Sequence, residues 1–356
     1  MPEGKGTSSQ CCACLIASIT LVACSLTDDL DELSSGVPPN RGGAAGSTSG
    51  GGTGGTSSPS HAGRDGGVAT SPDEARSGGP AGTGNPDAGG AGATRVVWLE
   101  RGNRSAHAAN VDGSESEQLL TAAIGARLVS IAVDGPAGRF YFIDELRQRI
   151  HRANLDGSDE QNWLTGLEVP AGLDVDVSAG KIYFTERGGT SRVQRANLDG
   201  TQLEVLMTDV EQPRGVAVDA AAGKLYVADD GLDALLSADL DGTNVVNLNI
   251  TDVSDPLEIS IDPVDAKLYW SERGESGPRI RRANLDGSSV EDIVTTAALP
   301  GFSAASGLEV DRVGRRLYFV DGGNAGSILR ANLDGSGAAL ILGDLDEPIG
   351  LALLGP

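Results

Sequence analysis

The chain has 356 residues and a formal net charge of −23. An acidic surface repels phosphate backbones, so a nucleic-acid partner is not expected. All four cysteines lie before residue 25, which excludes disulfides and thiolate zinc sites from the remainder of the chain.

The first predicted element is an apolar run over residues 11–23. It is too short for an ordinary membrane-spanning helix and is typical of a secretory signal. The run ends in Leu21-Val22-Ala23-Cys24, which resembles a bacterial lipobox. That resemblance implies lipidation of Cys24, and Ser25 after it implies sorting to the outer membrane. Residues 1–24 are therefore predicted to be a signal peptide ending in a lipidated cysteine, with an ordinary secretory signal or a buried apolar segment as the alternatives.

Residues 25–94 are rich in Gly, Ser, Thr, Ala and Pro. Such a segment cannot bury enough apolar surface to offset the entropy lost on ordering. We predict a disordered linker here, followed by one folded domain over residues 95–356.

Three short modules then recur six times each. One contains Asn-Leu-Asp-Gly or a close variant, a second is an apolar run such as IYFTE (182–186), and a third reads like GLDVD (172–176). The module glycines Gly113, Gly157, Gly200, Gly242, Gly287 and Gly335 are spaced by 44, 43, 42, 45 and 48 residues. Asp-Gly after an apolar run is a strong hairpin signal, and a weaker apolar run follows it. Four antiparallel strands at this period predict the blade of a β-propeller.

The phase of the repeat predicts how the ring closes. The chain enters the repeat in a second strand, at Val96, and ends just after a first strand, at residues 350–354. Pairing these two strands completes a blade and removes an open edge. We therefore predict an all-β, six-bladed propeller closed by its N- and C-terminal strands.

The modules LYWSE (268–272), LYFVD (317–321) and IRRANLDG (280–287) resemble the YWTD, or class B, repeats of the low-density lipoprotein receptor family. Trp98 and Trp270 match the Trp of that motif. The other four units have Phe142, Phe184, Val227 and Phe319 at this position. The resemblance implies a six-bladed propeller that binds a protein or peptide on one face.

Each second strand ends in an acidic residue, and four units carry an arginine on the next strand. On neighbouring antiparallel strands such groups are expected to form ion pairs. Because a catalytic set is normally made once, a repeated pair indicates a structural role. The predicted pairs are Asp144 with Arg152, Glu186 with Arg195, Glu272 with Arg282, and Asp321 with Arg330.

Candidate functional residues are those that break the repeat. On the innermost strands these are Asp174, Glu258 and Glu309, which we expect near the propeller axis. Carboxylate oxygens can bind Ca²⁺. The favoured interpretation is nevertheless solvated channel carboxylates, with no metal and no cofactor.

A second candidate is the face formed by the loops between second and third strands and between blades, since loops on a rigid scaffold tend to carry function. The alternative is an ordinary solvated rim. Both histidines of the repeats, His107 and His151, occupy one strand position and are expected to have no functional role. The proposed ligand-face residues are Arg147, Arg149, Arg187, Arg192, Arg214, Arg273 and Arg279.

No Ser-His-Asp set, nucleotide-binding glycine fingerprint or HExxH motif is visible, so the chain is not expected to be an enzyme. The sequence favours a monomeric, extracytoplasmic binding or scaffolding module, tethered to the bacterial outer membrane or cell surface by its lipid. Its partner would be a protein, a peptide or a glycan. The alternatives are a Ca²⁺-dependent propeller hydrolase or lactonase, and a structural envelope protein.

Overall fold

The computed structural model describes residues 92–274, 277–323 and 325–355. The predicted signal peptide, the lipidation site Cys24 and all but the last three residues of the predicted linker lie outside this part of the chain. Within it, six four-stranded antiparallel sheets form the blades of a propeller, as predicted. These residues include no helix with the length and apolar character needed to span a bilayer.

Every blade has the same four strands, ordered from the axis outward. The inner strands are β4 (Leu128–Asp134), β8 (Pro170–Asp176), β12 (Pro213–Asp219), β16 (Pro256–Asp262), β20 (Ala305–Asp311) and β24 (Pro348–Leu354). The second strands are β1 (Arg95–Glu100), β5 (Arg139–Asp144), β9 (Lys181–Glu186), β13 (Lys224–Asp229), β17 (Lys267–Glu272) and β21 (Arg316–Asp321). The third strands are β2 (Ser105–Asn110), β6 (Arg149–Asn154), β10 (Arg192–Asn197), β14 (Ala234–Asp239), β18 (Arg279–Asn284) and β22 (Gly326–Asn332). The outer strands are β3 (Glu117–Thr121), β7 (Gln161–Thr165), β11 (Glu204–Met207), β15 (Val246–Asn247), β19 (Glu291–Thr295) and β23 (Ala339–Leu345).

The ring is closed by the two ends of the repeat region. Blade 1 consists of β24, β1, β2 and β3, and blades 2 to 6 follow in chain order from β4 to β23. Strand β24 pairs antiparallel with β1, which places Leu353 opposite Val96. Inner strands of successive blades contact one another, including β20 with β24 and β24 with β4. The predicted closure is therefore confirmed.

The hydrophobic core lies between the blades. The second strands are buried on both faces because each packs against a neighbouring blade on either side. Trp98, Phe142 and Trp270 are at most 1% exposed. Fully burying a large apolar side chain contributes about 1.5–3 kcal/mol, so these apolar runs account for much of the stability of the ring.

The Asn-Leu-Asp-Gly module forms the turn after each third strand. In blade 2, Asp156 Oδ1 accepts hydrogen bonds from the amide of Ser158 at 2.9 Å and from its hydroxyl at 2.6 Å. Gly157 then takes a φ of +80°, a conformation that glycine adopts without a steric penalty. The turn also abuts the preceding blade: a Cβ on Gly335 would lie 1.9 Å from the carbonyl oxygen of Ile293. The repeated glycine thus serves both the turn and the contact between blades.

The predicted pairing between acids and arginines differs from the one observed. The hairpin register places Arg152, Arg195, Arg282 and Arg330 opposite tyrosines instead, as the following pairs show: Tyr141 with Arg152, Tyr183 with Arg195, Tyr269 with Arg282, and Tyr318 with Arg330. The arginines reach outward: Arg195 and Arg282 form ion pairs with acids of their own outer strands, at Glu204 and Glu291. The predicted pairs of Arg152, Arg195 and Arg282 are therefore wrong as pairs, and the register also places Arg330 opposite Tyr318.

The acids that end the second strands hold the loops between blades. Asp144 accepts the backbone amides of Arg127 and Arg147, both at 3.1 Å. Asp229 accepts the amides of Glu211 and Gln212 at 2.8 and 2.9 Å. A buried carboxylate that accepts several amides satisfies donors that would otherwise be costly to bury. Asp144 and Asp229 thus hold the adjoining loops through contacts with the backbone.

Candidate functional site

A funnel of about 750 Å³ opens at the end of the ring where the second strands finish and the inner strands begin. A cavity of this size is in the range of known ligand pockets. Five arginines line it, contributed by blades 1 to 5: Arg101, Arg127, Arg187, Arg214 and Arg273. Blade 6 contributes no arginine here, only Leu345 and the small residues Ala304, Ser306, Gly322 and Gly323.

A β-bulge near the start of each inner strand shapes the wall of the funnel. In blade 3, Pro170 lies opposite Glu186 whereas Leu173 lies opposite Phe184, so the inner strand carries one extra residue. The same shift occurs in the other five blades. Bulges re-aim side chains, and the residues at this position line the funnel: Val129, Ala171, Arg214, Leu257, Ser306 and Ile349. Apart from Arg214 and Ser306 they give the funnel an apolar lining.

Three of the arginines have acidic partners. Arg127 and Arg187 both pair with the buried carboxylate of Glu145, which lies 3.1 Å from Arg127 Nε. Arg214 directs Nε and Nη2 at Asp230 Oδ2, at 2.9 and 2.6 Å. These contacts fix the guanidinium groups in place and partly neutralise them.

The other two arginines of the funnel, Arg101 and Arg273, form no ion pair with any described residue. The Arg101 backbone amide donates to the Glu347 carbonyl, but its guanidinium has no carboxylate within 4.0 Å among the residues described. Burial and the nearby cations Arg127 and Arg273 lower the pKa of Arg101, against the opposing effect of Glu347 and Glu145. Burial and Arg214 likewise lower the pKa of Arg187. Arg101 and Arg273 are therefore the two guanidinium groups of the funnel without an ion-pair partner among the described residues.

Three of the seven predicted ligand-face arginines meet in the funnel, namely Arg187, Arg214 and Arg273. The other four are outside its lining and make local contacts. Arg147 pairs with Asp144, Arg192 with Glu186 and Arg279 with Glu272, while Arg149 donates to Asn162. Their position on the strand ends directs them along the blade rather than toward the axis.

Sequence reasoning missed Arg101, Arg127 and Glu145. The sequence could have indicated Arg101 and Glu145, because the residue that follows each second-strand acid alternates in charge around most of the ring. It reads Arg101, Glu145, Arg187, Asp230, Arg273 and Gly322. Arg127 had no such signal, since its place depends on the loop that precedes β4.

Beyond the funnel, a narrower channel of about 100 Å³ follows the axis. It brings together all three predicted axial residues, Asp174, Glu258 and Glu309, and Glu258 lines both cavities. Asp174 Oδ2 accepts the amide of Val218 in the next blade at 2.8 Å. Repeat-breaking carboxylates from blades 3, 5 and 6 thus share one confined space.

This confinement changes their protonation. Burial, reinforced by the neighbouring acids, raises the pKa of Asp174 to about 6 and the pKa values of Glu258 and Glu309 to about 8. Glu309 is the main charged neighbour that acts on Glu258, and Asp174 the main one that acts on Glu309. Like charges in a poorly solvated channel cannot all ionise at neutral pH. Among the described residues, no group of three or more His, Cys, Asp or Glu side chains is arranged to hold a metal ion.

The two histidines occupy a repeated stacking position. The His107 ring stacks on Trp98 with centroids 5.2 Å apart, and the His151 ring stacks on Phe142 at 4.7 Å. In blade 5 the same position holds Arg281, which lies over Trp270. These side chains thus cover the aromatic residues of the second strands and do not line the funnel.

No protein-family model matches the chain, and no curated protein matches it. Solved structures do share its fold. A chain of the crystal structure of a nidogen/laminin complex aligns with a TM-score of 0.63 at 20% identity, over 73% of this chain and 98% of that one. TolB from Acinetobacter baumannii aligns with a TM-score of 0.60 at 12% identity, over 73% of this chain and 66% of that one. At these identities the likeness establishes the propeller architecture.

Proposed function

We propose that this chain is a non-catalytic binding module that holds a protein partner in its arginine-lined funnel. The observation that carries the proposal is the concentration of five arginines, from five blades, around one cavity of an otherwise acidic protein. An excess of one charge in a concave site focuses the electrostatic field and attracts partners of the opposite sign. The repeat that builds the scaffold is broken at this cavity, as a specific site requires.

The proposal includes a place for the module. A lipid on Cys24 would anchor the chain to the outer membrane on the extracytoplasmic side, with residues 25–94 as tether, and the propeller would belong to the YWTD type. The lipobox-like Leu21-Val22-Ala23-Cys24 and the six LYWSE-like modules support these statements. The likeness to a chain from a nidogen/laminin complex and to a TolB protein is consistent with a role in protein binding.

The test is capture and identification of the partner. The immobilised full chain is incubated with envelope extract, captured proteins are cross-linked and identified, and the leading partner is purified for a direct binding measurement. Reversing the charge at the funnel with Arg187→Glu, Arg214→Glu and Arg273→Glu is expected to weaken binding at least about tenfold, because charged contacts are typically worth 1.5–3 kcal/mol.

Two further variants keep the result interpretable. Arg139→Glu reverses an exposed arginine at the start of β5, away from the funnel, and should bind as the wild type does. Arg273→Glu alone breaks no ion pair among the described residues, so it should weaken binding without unfolding the ring. Equal binding by wild type, triple variant and Arg273→Glu would refute the proposal.

A further inference from the structure

The two arginines without ion pairs flank the one blade that has none. Arg101 follows β1 in blade 1, Arg273 follows β17 in blade 5, and blade 6 lies between them. The two guanidinium groups are close enough for Arg273 to contribute to the lowered pKa of Arg101. Between them the funnel wall includes the small residues Ser306, Gly322 and Gly323 and no arginine. The two glycines place no side chain in the funnel here, and a cation lies on either side of this notch.

Close neighbours leave little room for a side chain at the two glycines of this notch. A Cβ on Gly322 would lie 2.7 Å from Ser306 Oγ, and one on Gly323 would lie 1.7 Å from Ser303 Oγ. The backbone consequently follows the wall closely, with no side chain standing over it. Its neighbours on the funnel side are apolar, namely Leu345, Pro348 and Ile349. This surface can accept an extended chain that carries an aliphatic side chain.

The two unpaired guanidinium groups of the funnel point to an anionic group on that chain. The funnel's five arginines face four lining acids, Glu145, Glu258, Asp346 and Glu347, and Arg214 is also paired with Asp230. Glu145 is already engaged by Arg127 and Arg187, and Asp346 packs against Gly102. Guanidinium groups bind carboxylates with paired, directional hydrogen bonds, which are about twice as strong as neutral ones. No aromatic side chain lines the funnel among the described residues, which favours a peptide over a sugar as the carrier.

We propose that Arg101 and Arg273 clamp a carboxylate of a partner peptide that crosses the notch of blade 6, with an adjoining aliphatic side chain on the apolar lining. The inference rests on the proposed function and specifies the chemistry recognised by the same funnel. The carboxylate can be an Asp or Glu side chain or a free C-terminus, since both present the same two oxygens to a guanidinium group.

The test uses two random-peptide display libraries selected on the immobilised full chain. One library presents peptides with free C-termini, and the other presents internal segments flanked by neutral residues. Wild-type protein is expected to enrich peptides with a carboxylate beside an aliphatic residue. The library that yields them identifies the source of the carboxylate. Selection on the Arg101→Gln, Arg273→Gln double variant should lose this enrichment.

The enriched peptides are then synthesised with a fluorophore and titrated. Each single substitution, Arg101→Gln or Arg273→Gln, is expected to weaken binding roughly tenfold to hundredfold. Amidation of the carboxylate in the peptide should weaken it as much, and Arg139→Gln should have no effect. Both substituted proteins should keep their thermal midpoints, because neither arginine has an ion-pair partner among the residues described.

Three outcomes would overturn the clamp: enrichment of peptides without carboxylates, equal enrichment by wild type and double variant, or binding that survives both arginine substitutions. Failure of the clamp is separable from failure of the binding function. A partner from the envelope that binds the double variant as tightly as the wild type, but not the Arg187→Glu, Arg214→Glu, Arg273→Glu variant, would leave the function standing and refute the clamp.

Discussion

At the scale of single residues, position decides what a carboxylate does in this ring. Asp229 ends a second strand, where four backbone amides from Glu211, Gln212, Gly231 and Leu232 surround it. Glu309 points into the axial channel, where burial and Asp174 raise its pKa to about 8. The repeat identified both positions, one by its constancy and one as an exception. The structure of the closed ring was needed to show that Asp174, Glu258 and Glu309 share one channel.

The axial acids predict an unusual dependence of stability on pH. A carboxyl group whose pKa is raised by folding keeps its proton in the native state after the unfolded chain has lost it. Stability then falls as pH rises from the unfolded value of about 4.5 through about 8, since the native state binds more protons in that window. Three such groups share the channel, and the charges of Arg312 and Arg214 only partly oppose the rise in their pKa values. We expect the thermal midpoint to decline between about pH 5 and pH 8.

Glu309→Gln tests the origin of this decline. Removing the ionisable group should flatten the pH dependence and raise the midpoint more at pH 8 than at pH 5. Asp209→Asn, a substitution at an exposed loop position, is the control and should leave the slope unchanged. Thermal unfolding followed by circular dichroism at four or five pH values gives the comparison. The same slope in all three proteins would contradict the assignment to the channel.

At the scale of the strand and hairpin, the sequence predicted the positions of the strands better than the residues that pair across each hairpin. All six second and third strands were predicted from the modules, yet Arg152 lies opposite Tyr141 rather than Asp144. An antiparallel hairpin pairs the last residue of one strand with the first of the next, so Asp144 faces Arg149. The bulges of the inner strands were not predicted from the sequence, although one occurs near the start of every inner strand.

The Asn-Leu-Asp-Gly turn gives a sharp prediction at this scale. Gly335→Ala forces an alanine into a φ of +80° and brings its Cβ against the carbonyl oxygen of Ile293. The strained conformation alone costs about 1–3 kcal/mol, so the free energy of unfolding should fall by at least that amount. Gly343→Ala is the matched control in β23: its φ is not positive, and its Cβ would meet only Leu340 at an ordinary 3.6 Å. Denaturant titration should separate the two variants, and equal midpoints would contradict the role of the turn.

At the scale of the whole molecule, repetition made the architecture predictable and the site difficult to predict. Each unit meets the same packing requirement between two neighbours, so six similar segments carry six independent indications of one fold. The funnel depends on side chains that meet only after the ring has closed, such as Arg101 from blade 1 and Arg273 from blade 5. Arg187, Arg214 and Arg273 were found from their loops, whereas Arg127 could not be placed without the three-dimensional path of its loop.

The ring is closed in blade 1, where β24 pairs with β1, so removing β24 should break the closure of the whole propeller. Strand β24 covers β1 and packs Leu351 against Trp98 and Val320, which bridges blades 1 and 6. Deleting residues 348–356 should expose that core and leave β1 with an open inner edge. We expect a lower thermal midpoint, a broader transition and rapid proteolysis. Deletion of residues 355–356 alone removes no strand and serves as the control. A propeller that unfolds as cooperatively without β24 as with it would show that closure through the termini is dispensable, because the remaining blades would then hold the ring by packing alone.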